Sequence, residues 1–157
     1  MVRTLFVNFR QAKKSDLEVV QKCIRDAFFP NQAIQGSEPY ALRSDYQVLI
    51  EEEKIFILED SSHLAGVVCL SSEADHLYLS HLAIDPDRQS SGYGKRILEE
   101  AEKIARARGL TEIKLNTNAK LDPLLKFYGK RGFQETHREK REDRTLVFFS
   151  KKIFLKN

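Results

Sequence analysis

Between Gln89 and Lys95 the chain reads Gln-Ser-Ser-Gly-Tyr-Gly-Lys, the stretch whose residue types and spacing are best suited to chemistry. It follows an apolar segment, Leu82-Ala83-Ile84. It precedes an amphipathic one in which Ile97, Leu98, Ala101, Ile104 and Ala105 recur with a helical period. Asp85-Pro86 ends the first segment as a strand, because proline brings no ladder donor and restricts the residue before it. Gly109 stops the helix as a left-handed cap. A loop so placed exposes the unpaired N–H groups of a helix's first turn, at the positive end of the helix dipole. Gly92 and Gly94 let backbone approach a ligand, Ser90 and Ser91 add hydroxyl donors, and Arg88, Lys95 and Arg96 add positive charge. Such a loop suits a phosphate. The same residues would also make an ordinary strand-to-helix turn followed by a solvated charge run.

Two familiar phosphate motifs are excluded by the residues themselves. A P-loop built on Gly94-Lys95 needs glycine at Gln89 and Ser or Thr at Arg96, and a dinucleotide fingerprint needs glycine at Ile97. Gln89-Ser90-Ser91-Gly92-Tyr93-Gly94 instead resembles the acyl-coenzyme A loop of the GCN5-related N-acetyltransferase (GNAT) superfamily, Gln/Arg-x-x-Gly-x-Gly/Ala. Leu82-Ala83-Ile84-Asp85-Pro86 looks like that family's strand before the loop. Phe127-Tyr128-Gly129-Lys130-Arg131-Gly132-Phe133 is similar to its Tyr-x-x-x-Gly-Phe signature. Three features in the right order are far more specific than any one of them.

The resemblance implies a mixed α/β sheet of GNAT type with acetyl-CoA as acyl-donor cosubstrate. It assigns the pantetheine arm to the backbone of Leu82, Ala83 and Ile84, in a gap between two parallel strands. It assigns the pyrophosphate to the amides of Gln89, Ser90, Ser91, Gly92, Tyr93, Gly94 and Lys95. Asn116, at the end of the neighbouring strand, is a further cofactor candidate or else a turn former.

The implied reaction is direct acyl transfer to an amine. An alkylamine of pKa about 10 must lose a proton to attack, and the departing thiolate must gain one. Tyr128 matches the family's general acid, and a phenol of ordinary pKa is protonated at pH 7; its other reading is an aromatic on the core face beside Phe127 and Phe133. The family's usual Glu or His base falls on Ser80 and Tyr78, so deprotonation is expected through a water held by one of them. Strand alternation would turn His81 to the opposite face from Ser80 and Leu82. Cys23 and Cys69 have no cationic neighbour in sequence that would activate a thiolate, which argues against a ping-pong route. An N-acetyltransferase acting on a small molecule or protein amine is the first reading. A non-catalytic acyl-CoA-binding or sensing module is the alternative. The resemblance places the acceptor pocket in the helix-loop-helix region, residues 29–48, with Gln32, Gln35 and Tyr40 as candidate contacts or else loop surface; Glu51-Glu52-Glu53 and Glu73-Asp75 could form an acidic cleft for a polycation or be solvated turns.

The elements that must position these residues follow in chain order. A strand over Leu5–Arg10 leads to a helix with a Ser15-Asp16-Leu17-Glu18 capping box that ends at Pro30-Asn31. A second helix is expected over Tyr40–Glu52. Ile55–Glu59 and Leu64–Leu70 form a hairpin about Asp60-Ser61-Ser62-His63, and His76–Ile84 leads into the loop. After the long helix come a strand over Thr111–Asn116 and a helix with Asp122 as N-cap and Pro123 in its first turn. Two final strands make the order β-α-α-β-β-β-α-β-α-β-β.

Composition sets the frame. A chain of 157 residues makes one domain, 1–157. No apolar run approaches the roughly eighteen residues of a membrane span, and no signal-peptide pattern opens the chain, so a cytoplasmic protein is expected. Net charge of +3 with both signs interspersed gives no reason to expect nucleic acid. Two cysteines and four histidines lack metal-ligand spacing. The run from His137 to Arg144 reads as a solvated hairpin connection. A homodimer is compatible with all of this.

Overall fold

The computed structural model describes residues 6–89 and 91–155. Leu5 and Ser90 therefore lie outside the described residues. Among the described residues, seven strands form one sheet: β1 (Val7–Gln11), β2 (Ile55–Asp60), β3 (His63–Ser72), β4 (Leu77–Ile84), β5 (Glu112–Asn118), β6 (Gln134–Lys140) and β7 (Thr145–Lys152), ordered β1-β2-β3-β4-β5-β7-β6. All neighbours are antiparallel except β4 and β5. Four helices cover the sheet: α1 (Leu17–Gln35), α2 (Tyr46–Glu51), α3 (Tyr93–Ala107) and α4 (Asp122–Lys130). The expected element order holds.

Period-two alternation divides the strands between two cores. Phe56, Leu58, Val68, Leu70, Leu77 and Leu79 face α3 and α4, where they meet Ile97, Leu98, Ala101 and Tyr128. Ile55, Ile57, Val67 and Cys69 face α1 and α2, against Val20, Cys23, Ile24, Tyr46 and Ile50. Both faces of the central strands are thus apolar, as a two-sided layer requires. At the edge, Arg10 joins β1, β2 and the approach to α1 by donating to Asp16 (2.8 Å) and Glu59 (2.8 Å), which holds both carboxyls below their ordinary pKa.

Several boundaries differ from the sequence expectation, each for a local reason. Ser15 does not cap α1: residues Lys14–Asp16 form a short 3-10 turn, and the Asp16 carboxylate accepts from the Lys13 N–H at 2.6 Å. Pro30 lies inside α1, which runs on to Gly36; there a left-handed φ of 74° and the Gly36 N–H bonded to Gln32 O close it. The expected second helix is broken in two. A 3-10 turn covers Tyr40–Arg43, and Asp45 then caps α2 by accepting from the Val48 N–H at 3.2 Å. Asp122 is the first residue of α4 rather than its cap, and β5 runs two residues past Asn116. In the run from His137, the first four residues belong to exposed edge strand β6, and only the last four make the turn to β7.

Candidate active site

Two structures meet at the C-terminal end of β4. The first is the start of α3. Gly92 precedes it with a φ of 80°, a conformation that suits glycine, and no atom lies within 4 Å of where its Cβ would be. The first intrahelical bond runs from Arg96 N–H to Gly92 O at 3.0 Å, so the N–H groups of Tyr93, Gly94 and Lys95 precede the hydrogen-bonded ladder. The second glycine has another purpose. A Cβ on Gly94 would come within 2.9 Å of Phe127 Cζ, so the missing side chain at Gly94 seats α3 against α4.

The Tyr93 hydroxyl donates to Asp60 at the end of β2, and its ring packs on the α3-side core. Its contribution to the loop is therefore its backbone. Gln89 returns its side-chain amide to Ile84 O at 3.4 Å, while Ser91 and Lys95 are exposed.

The second structure is an opening in the sheet. β4 and β5 pair only at Leu77–Ile113 and Tyr78–Lys114. Beyond that point β5 continues with β7, while Leu82, Ala83 and Ile84 pair only with Val68, Val67 and Gly66 of β3. One backbone edge of β4 is thereby left facing the gap. Asn116 bridges the gap's mouth by donating from Nδ2 to the Tyr78 hydroxyl. Its side chain holds the two strands in register at the point where they part.

On the α1 side, the opening widens into a cleft of about 360 Å³. Tyr78, Ser80 and His81 line it from β4, Asn116, Thr117 and Asn118 from β5, with Arg141 and Arg144 at the turn between β6 and β7. Strict alternation would have put His81 on the other face from Ser80, and the structure corrects this. Cys69 pairs with His81 and Leu70 with Leu79, so Ser80 is the extra residue of a bulge. The bulge shifts side-chain parity: Leu77 and Leu79 before it, and Leu82 and Ile84 after it, pack toward α3, while Ala83 packs toward α1. Ser80 and His81 consequently share the cleft.

His81 bonds to Ser44 Oγ at 3.0 Å and lies against the rings of Phe28 and Tyr46. Burial lowers its pKa to about 4, which keeps the imidazole neutral. Burial likewise raises the Tyr78 phenol, against the partial opposition of Asn116.

Of the acceptor candidates, Gln35 and Tyr40 line the cleft and Gln32 does not. Gln35 does so from the last turn of α1, not from a loop. The acidic runs Glu51–Glu53 and Glu73–Asp75 are absent from the cleft's lining. Arg144, expected on a solvated connection, is buried: it donates to Glu38 O at 2.8 Å, pairs with Asp143 and lies 4.0 Å from the centre of the Tyr40 ring. No local pattern distinguishes it from the charges around it in sequence. Its role comes from a contact more than a hundred residues away along the chain.

Tyr128 lies in the opposite layer, 5.2 Å from Phe127, 5.6 Å from Phe133 and 6.1 Å from Phe149 between ring centres. It is not part of the cleft's lining. Burial raises its pKa well above the ordinary phenol value, and its hydroxyl makes no hydrogen bond among the described residues. Burial also raises both thiols, Cys23 to about 12. No helix among the described residues is long and apolar enough to cross a membrane.

A parallel pair that parts beside a helix start preceded by glycine is the arrangement that the GNAT resemblance implied. Residues 20–133 match the Acetyltransferase (GNAT) family, and the chain belongs to it. It is an acyltransferase, and the donor this family uses is acetyl-CoA. YxbD of Bacillus subtilis (strain 168) is 30% identical over 115 residues, covering 73% of this chain and 70% of that protein. The fold is also that of PaiA N-acetyltransferase from Thermoplasma acidophilum, solved in complex with coenzyme A, at a TM-score of 0.79 and 24% identity over 93% of this chain and 98% of the other. A ribosomal-protein alanine N-acetyltransferase of Escherichia coli has a TM-score of 0.77 at 17% identity, covering 97% of each chain.

Proposed function

We propose that the protein transfers acetyl from acetyl-CoA directly to a primary amine bound in the cleft of Tyr78, Ser80 and His81. The observation that carries this reading is the parting of β4 from β5 after Tyr78 and Lys114, beside the unladdered amides of α3. The donor fits what is there. The free β4 edge at Leu82, Ala83 and Ile84 offers an extended arm the same backbone partners a strand would have. The amides of Tyr93, Gly94 and Lys95 suit a pyrophosphate at a helix N-terminus, with Gln89, Ser91 and Gly92 forming the approach. Asn116 contributes indirectly by fixing Tyr78 across the gap.

In the transfer, the acceptor nitrogen forms a bond to the thioester carbonyl carbon and the C–S bond breaks. The nitrogen gives up one proton and the sulfur takes one. Tyr128 lies in the layer opposite the cleft and outside its lining, and its assignment as proton donor to sulfur rests on its match to the family's Tyr-x-x-x-Gly-Phe signature. Burial keeps its hydroxyl protonated, and no hydrogen bond among the described residues competes for it. The nitrogen's proton leaves through water held at Tyr78 and Ser80. His81 does not act as the base: burial keeps it neutral, and its ring is bonded to Ser44 Oγ and to the Ser80 backbone. A sulfur nucleophile is disfavoured by the raised thiol pKa values.

Acetyl-CoA binding by calorimetry, followed by release of free coenzyme A with a panel of amines, tests the reading. Saturable binding and amine-dependent release are expected. Absence of binding would remove it.

A further inference from the structure

Resting on that reading, we infer that the acceptor amine also carries a carboxylate, so that the substrate is a small amino acid or a similar amino-carboxylate. The charged residues that line the cleft, Arg141 and Arg144, are both cations. Asn118 is buried at the end of β5, with 6% of its surface exposed, and lines the cleft. Its Oδ1 accepts from the Lys120 N–H at 3.0 Å, which fixes the orientation of the amide. Its Nδ2 is left buried with no hydrogen-bond partner among the described residues.

A buried N–H without an acceptor is costly, and a ligand oxygen would satisfy it. Arg141 and Arg144 line the same cleft. The carboxylates they pair with, Glu139 and Asp143, are outside the lining, and no Asp or Glu is among the lining residues described. An amide donor sharing a cleft with two guanidinium groups, with no acidic residue in the lining described, selects an oxyanion and opposes a polycation. Planar donors match the two in-plane oxygens of a carboxylate. A cleft of about 360 Å³ suits a small molecule, with the amine directed to Tyr78 and Ser80 at the gap.

The test compares acceptors in pairs, each amino acid against its own amide, for instance β-alanine against β-alaninamide, together with phosphoethanolamine. It uses the wild-type protein, Asn118→Asp and Arg141→Gln. The aspartate would retain the acceptor for the Lys120 N–H while replacing the free donor by negative charge. Wild type is expected to favour the carboxylate member of a pair by at least about tenfold in kcat/KM. Asn118→Asp should abolish that preference, chiefly through KM, and leave acetyl-CoA affinity within about twofold; Arg141→Gln should reduce it about threefold. Equal rates on both members, a preference for the phosphate ester, or loss of acetyl-CoA affinity in Asn118→Asp would each overturn the inference while the transferase reading stands. Wild type that fails to bind acetyl-CoA would overturn both.

Discussion

The proposed donor side and the proposed acceptor side of this site meet at the C-terminal end of β4 but are made of different material. Backbone makes the donor side: the free edge at Leu82–Ile84 and the first-turn amides of α3. Side chains make the acceptor side, brought to one cleft from α1, the segment before α2, two central strands and the turn between β6 and β7. A backbone site depends on conformation, so its sequence requirement is a few glycines and an apolar strand. A side-chain site depends on tertiary contact, so its residues can be scattered and locally unremarkable. Changes on the two sides should therefore separate donor affinity from acceptor choice.

The largest effect is expected from Gly92→Glu. Any side chain there must hold φ near 80°, at about 1–2 kcal/mol, and this one sets a carboxylate where an anion is to bind. Acetyl-CoA affinity measured by calorimetry should fall at least about a hundredfold, while near-ultraviolet circular dichroism remains that of wild type, because the added Cβ meets nothing within 4 Å. Unchanged affinity would refute the assignment of the donor to this loop.

Tyr128→Phe comes next and addresses the chemistry between the two sides. Phenylalanine fits a position already ringed by Phe127, Phe133 and Phe149, so folding should be preserved. If the hydroxyl protonates sulfur, kcat should fall about a hundredfold with both substrates' KM nearly unchanged. A full-rate Tyr128→Phe enzyme would make this tyrosine a core residue alone.

How far each side was legible follows from the same distinction. The glycine loop, the strand before it and the Tyr-x-x-x-Gly-Phe run are local patterns; the family resemblance they carry implied the opening between β4 and β5, while periodicity and turn signals along the chain gave the element order. Alternation placed His81 opposite Leu82, which holds, but also opposite Ser80, where a bulge of one unpaired residue brings both side chains to the cleft. A bulge depends on how two strands register, and nothing at Ser80 or His81 announces it. Arg144 was hidden for a related reason: among eight residues rich in alternating charge, only burial beneath Tyr40 and the Glu38 carbonyl distinguishes it. Pro30 misled in the opposite sense, since one missing donor did not end a helix whose true stop is Gly36.

His81 gives the acceptor side a pH signature that the backbone-built side lacks. Its pKa is about 4 when folded against about 6.5 when unfolded, so the unfolded chain binds the proton more readily. Stability is therefore fully present above about pH 6.5 and is lost as pH falls toward 4. By pH 5 the loss is about 2 kcal/mol relative to pH 7. Urea unfolding at the two values should report it, and His81→Gln should remove most of the difference. A wild-type protein equally stable at both would mean that the imidazole is more solvated than its contacts with Phe28, Tyr46 and Ser44 imply.

Gly94→Ala is the smallest change and the one that separates the two glycines of the loop. If both glycines exist for the ligand, alanine at either position should weaken acetyl-CoA binding. The structure makes them different: the Cβ at Gly94 would press on Phe127 at 2.9 Å, and Phe127 carries Arg131 stacked at 4.1 Å on its ring. The ring can yield only by tilting α4 or leaving its rotamer, which costs about 1–2 kcal/mol and a Tm lower by roughly 3–6 °C. The amides of Tyr93 and Lys95 keep their direction, because alanine is at home in a helix and the Gly92 cap is untouched. Donor affinity should hence stay within about twofold of wild type once the variant is folded, as calorimetry below its Tm would measure. A tenfold loss of affinity without loss of Tm would instead show that Gly94 faces the ligand, and the donor side would then depend on both glycines.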